Sequence, residues 1–128
     1  MVNLEPGYKV KELPIRIGEL SRITGVPASR LRFYEKHGVL PKAMRSGNGY
    51  RAYPDTAVKT VQLIDTAQQL GFSLNEIRNA LSEAAPDFPS RTAMAKALRS
   101  KLESIERHIK EVQARRRRLT KLLEDLKG

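Results

Sequence analysis

The chain of 128 residues has room for one small domain and one extended element. Apolar residues make up 40% and aromatics 5%, a balance that suits a helical protein better than a sheet-rich one, and the absence of cysteine excludes disulfides and thiolate metal ligands. The formal net charge of +10 is uneven: residues 1–54 hold ten Lys/Arg against four Asp/Glu, residues 55–89 two against five, and residues 90–128 twelve against five. Basic ends around an acidic middle point to a nucleic-acid partner, with plain solubility as the blander alternative.

Residues 1–14, with Pro6, Gly7 and Pro14 and no periodicity, read as a flexible N-terminal arm. Its Lys9 and Lys11 are either DNA-backbone contacts or part of a disordered tail. The arm lacks the apolar core of a signal peptide, and no apolar run in the chain approaches the roughly 18 residues of a membrane span. The expectation is a cytoplasmic protein with no membrane partner.

Ile17, Leu20 and Ile23 fall at i, i+3 and i+6, which predicts a short helix ended by Gly25-Val26-Pro27. A second helix follows over residues 28–37. Leu31, Tyr34 and Glu35 share one side of it, while Ser29, Arg30, Arg32, Phe33, Lys36 and His37 spread over the other, and Gly38 is placed to cap it. Two helices across so short a turn form a helix-turn-helix, whose second helix can enter a DNA major groove. His37 is either a phosphate contact or a polar cap.

Asn48-Gly49 carries the turn signal of a hairpin spanning residues 45–53. Its Arg45, Tyr50, Arg51 and Tyr53 give a basic, aromatic ribbon within reach of phosphates or a minor groove, completing a winged helix-turn-helix. Pro54-Asp55 then opens a third helix, with Ala57, Val61, Ile64 and Leu70 as its stripe and Gly71 as its end. Ser73 with Glu76 forms a capping box for a fourth helix over residues 74–81. This second helix pair is expected to be a structural layer, including Leu63, Leu70, Phe72, Leu74 and Ile77. Arg78 is either a phosphate contact or solvated.

Two prolines make residues 84–89 a linker, with Phe88 docking on a core edge. Beyond it Leu98, Leu102, Ile105, Ile109, Val112, Arg116, Leu119, Leu123 and Leu126 advance by steps of four and three, a heptad seam of about four repeats broken only at Arg116. Residues 90–127 as one helix span about 57 Å, too long to bury on so small a domain. Self-association satisfies the seam. The run Arg115 to Arg118 points in four directions, so it reads as the solvated surface of a coil.

The segments IGELSRITGV, LRFYEKHGVLP, RSGNGYRAY and QLGFSLNEI occur in the order and spacing of the MerR family of bacterial transcriptional regulators, and over about residues 15–82 the chain resembles that family. The wording RFYE and MRSxNGYRxY, with IERHI further on, is similar to the copper-responsive branch. The resemblance implies an all-α fold with a small β wing: a winged helix-turn-helix domain over residues 15–83, then a coiled-coil dimerisation helix over residues 90–128 that pairs antiparallel with a second copy. It implies a homodimer on a pseudo-palindromic promoter site in double-stranded DNA, which it bends and untwists so that RNA polymerase can engage. It does not carry over the metal. Ile77 stands where the metal-responsive members have cysteine or serine, and LLEDLKG supplies no ligand cysteine.

Motifs for phosphate loops, zinc proteases and nucleophile elbows are missing, and His37 and His108 are the only histidines. No enzyme, cofactor or metal is expected. A ligand-independent repressor or architectural DNA-binding protein is the alternative within this class. A basic-coil adaptor for an acidic protein is the alternative outside it, and the basic wing argues against it.

Overall fold

The structure, a computed structural model, describes residues 14–45 and 51–128, with only the backbone at Arg45 and Arg51. The arm at residues 1–13 and the hairpin turn with Asn48, Gly49 and Tyr50 lie outside the described residues. The chain divides into two units between Pro89 and Ser90.

In the first unit a two-residue strand β1 (Ile15–Arg16) runs directly into α1 (Ile17–Thr24). Gly25 ends α1 at φ 74°, its N–H donating to Ser21 O at 2.8 Å, a left-handed conformation that glycine adopts without a Cβ penalty. Pro27 begins α2 (Ala28–Lys36) with φ −59°, where a missing N–H costs nothing. The helix closes at Gly38, φ 75°. Gly38 N–H donates to Glu35 O and Val39 N–H to Tyr34 O, the paired bonds of a Schellman stop, with Val39 buried beneath.

Strands β2 (Met44–Arg45) and β3 (Arg51–Tyr53) form the expected hairpin, with Met44 opposite Ala52 and Arg45 opposite Arg51. No local pattern announces β1, which pairs antiparallel on the other edge of β3, Ile15 opposite Tyr53. The sheet order β1-β3-β2 therefore anchors the wing to the start of α1.

Helix α3 (Ala57–Gln69) starts later than Pro54-Asp55 suggested. Ala57 N–H to Pro54 O (2.9 Å) and Val58 N–H to Asp55 O (3.2 Å) close a separate turn first. At the far end Gly71 (φ 93°) donates to Gln68 O and Phe72 to Ala67 O, a second Schellman stop. Ala57, Val58, Val61 and Ile64 are buried, but Leu70, assigned from sequence to the same stripe, is 50% exposed because the helix ends there. Ser73 and Glu76 cap α4 (Leu74–Ala84) reciprocally at 3.1 and 3.0 Å. Lys59 Nζ sits 4.4 Å above the Phe88 ring, tying the linker to α3. The core draws on every helix of this unit, centred on Leu20, Leu31, Tyr34, Val61 and Ile64.

The second unit is α5 (Arg91–Lys127), 37 residues and about 55 Å long at 1.5 Å per residue. Ser90 caps it by accepting from Ala93 N–H at 3.1 Å. None of its residues is buried, and every apolar residue of the heptad seam is exposed.

Candidate nucleic-acid interface

Helix α2 is locked from behind and open in front. Leu31, Tyr34 and Glu35 are buried, at 0%, 0% and 7% exposure, while Ser29, Arg30, Arg32, Phe33, Lys36 and the following His37 are not buried. The structure thus brings the six candidates together on one helix and its end. Phe33 packs its ring on His37 with centroids 4.1 Å apart, so two accessible rings stand together beside Lys36.

Three side chains of this helix, Arg30, Tyr34 and Glu35, fix it against its neighbours by polar contacts. On the α3 side, Arg30 Nη1 meets Asp65 Oδ1 at 3.2 Å, and Gln69 Nε2 donates to the other oxygen at 3.1 Å. Arg30 therefore stands at the edge of the outward face, tethered to α3, and differs from Arg32 and Lys36 in that respect. One turn on, Tyr34 donates to Gln68 Oε1 at 2.7 Å. Burial pushes the Tyr34 hydroxyl above its ordinary value, opposed by its hydrogen bond and charge interaction with Arg30.

On the wing side, Glu35 Oε2 accepts from Tyr53 Oη at 2.6 Å and Oε1 accepts from Ala43 N–H at 3.0 Å. This corrects the expectation for Tyr53. It is 2% exposed, with its ring in the core and its hydroxyl on Glu35, and does not face outward with the wing. Tyr53 is the last residue of β3 and pairs with buried Ile15, so it lies where the strand leaves the wing and enters the core. Arg45 and Arg51 are cross-strand partners on the wing, and Tyr50 lies outside the described residues.

At the end of α2, Arg78 of α4 donates from Nη1 to His37 O at 3.5 Å and from Nη2 to Asn75 Oδ1. Neither of the sequence alternatives anticipated this position at the negative end of the α2 dipole. Sequence reading also missed Asp65 and Gln68, since nothing local distinguishes them from solvated residues of α3. Glu35 did leave a signal, an acid on the inward edge of an otherwise apolar face.

Among the described residues no group of three or more His, Cys, Asp or Glu is placed to hold a metal ion, and no helix is long and apolar enough to cross a membrane.

Residues 15–84 match the model of the MerR HTH family regulatory proteins, and residues 58–126 match that of the MerR DNA-binding family. The mercuric resistance operon regulatory protein of Bacillus cereus is 35% identical over 115 residues, covering 90% of this chain and 84% of that protein. The HTH-type transcriptional regulator CueR of Escherichia coli O157:H7 is 34% identical over 114 residues, covering 84% and 80%. The crystal structure of HiNmlR, a MerR family regulator lacking the sensor domain and bound to promoter DNA, shares the fold at a TM-score of 0.56 and 22% identity, covering 88% of this chain and 86% of that one.

Proposed function

The chain belongs to the MerR family of DNA-binding transcription regulators, and on that premise we propose that it works as a homodimer gripping a pseudo-palindromic promoter site. The observation that carries this reading is α2. Its inner side is fully engaged with the head, and its outer side offers Ser29, Arg32, Phe33 and Lys36 with Arg30 and His37 at the margins. Arg and Lys supply phosphate and guanine contacts, Ser hydrogen bonds, and Phe33 an apolar surface for a thymine methyl or sugar. Arg45 and Arg51 on the wing add flanking phosphate contacts.

The exposed seam of α5, from Leu98 to Leu126, takes a second copy and sets the distance between two reading heads. With half-sites one helical turn or a multiple apart, the pair enters successive major grooves on one side of the duplex. Bending and untwisting between them places promoter elements for RNA polymerase. The deformation energy, of order 1–6 kcal/mol, makes central base pairs matter without contact.

A regulator without an effector site, acting as a ligand-independent repressor or architectural protein, is the second reading. It is favoured by composition: a soft ion such as mercury or copper prefers thiolates, and this sequence has none. Footprinting on the DNA upstream of the gene, with and without candidate ligands, tests both readings. The proposal expects two protected major-groove segments related by a dyad. Protection without a dyad, or none, would refute it, and a footprint and transcript level indifferent to every ligand would favour the second reading.

A further inference from the structure

Glu35 is the one charged side chain buried among the described residues. Placing a carboxylate in a core is costly unless donors satisfy it, and an apolar side chain of similar size commonly serves stability as well or better. Its position therefore asks for another reason. Ala43 N–H and Tyr53 Oη are both donors, which suits an acceptor-only carboxylate. They also occupy a particular place. Ala43 immediately precedes β2 and Tyr53 ends β3, so a single side chain on α2 holds both legs of the wing where they leave the head.

We propose that Glu35 is the positioning residue that locks the wing to the recognition helix through Ala43 N–H and Tyr53 Oη, so that both elements meet DNA as one rigid head. This rests on the DNA-binding reading above. The physical need is register. Contacts made by α2 and by the wing reinforce each other only if their separation is fixed before binding, because a loose wing must be ordered at the moment of contact. A bent duplex adds an elastic load that tends to spread the two elements apart. The β1–β3 pairing secures one edge of the wing by backbone bonds, and Glu35 secures its root against α2.

The test uses the full-length protein with Glu35→Gln, which keeps shape and removes one acceptor, and Tyr53→Phe, which keeps the ring in the core and removes the donor. Amide hydrogen exchange reads the joint without DNA. Opening of β2 and β3 is expected to become about tenfold or more frequent in either variant, as for losing a bond to a charged partner, while α1, α2 and α3 keep their protection. Uniform loss of protection across the unit, or unchanged exchange in both variants, would overturn the proposal. Hydroxyl-radical footprinting then reads the consequence. Wild type is expected to protect a major-groove zone and flanking zones, and the variants to lose the flanking zones with the major-groove zone retained. Equal loss in both zones, or no change, counts against the rigid-head role. A wild type that protects no DNA ends the underlying reading instead, with the exchange result still deciding the joint.

Discussion

In the first unit Leu20, Leu31, Tyr34, Val61 and Ile64 are wholly buried, whereas on α5 Leu102, Leu119 and Leu123 are more than half exposed. Both segments carry apolar residues at helical spacing. The head folds its short helices and strands around them, and α5, a single helix, has nothing of its own to close over its stripe. The head thus closes over its own apolar residues, whereas the stripe of α5 stays uncovered in the single chain. The head also fixes the outward face of α2 by polar contacts to the rear of that helix, whereas the role proposed for α5 is to set a distance between two copies.

Substitutions in the two regions should separate cleanly. The largest effect is expected from Leu102→Asp, which puts an acid into the seam of each copy. We predict loss of the dimer at micromolar concentration and a fall of about 100-fold or more in affinity for an inverted repeat, because paired binding disappears. Sedimentation and DNA titration check it, and a dimer that survives would contradict the seam assignment. Arg51→Ala leaves the dimer alone and is expected to weaken binding across all sequences, reducing the salt slope by roughly 0.9 for each phosphate no longer neutralised. Selective weakening at one base position with an unchanged slope would assign Arg51 to base reading.

Arg116 interrupts the apolar pattern of the seam, and Arg116→Leu is expected to keep the proposed dimer and raise its melting temperature by several degrees, because an apolar residue replaces a charge that pairing would have to desolvate. An unchanged or lower melting temperature would place Arg116 outside the seam. The smallest effect belongs to the head. Burial raises the Tyr34 hydroxyl above its ordinary 10.0. A group whose folded pKa is raised contributes stability that is complete below its unfolded pKa and is lost as pH rises through the folded one. Stability should therefore fall above about pH 10. Tyr34→Phe should flatten that limb and, without the bond to Gln68, cost about 1 kcal/mol at neutral pH. Urea titrations at stepped pH measure both.

What was legible in the sequence followed from local chemistry. Gly25, Gly38 and Gly71 mark three helix ends because each sits at positive φ, and the Ser73–Glu76 capping box is a four-residue signal. The inner and outer sides of α2 came from periodicity alone. What escaped notice depends on partners distant in sequence. Strand β1 has two residues, too few for alternation to register, and exists only because β3 lies beside it. Tyr53 reads as a wing aromatic until Glu35, 18 residues earlier, is seen to hold its hydroxyl. The pairing of Arg30 with Asp65 joins positions 35 apart and has no trace in either segment.

The proposed assembly is two copies joined through α5 that present paired reading heads at a fixed spacing. Sedimentation equilibrium of the protein with a duplex carrying the inverted repeat, compared with one in which one half-site is scrambled, tests it most directly. The account predicts two chains per intact duplex, held about 100-fold or more tighter than on the scrambled one. One chain per duplex, or equal affinity for the two, would contradict it.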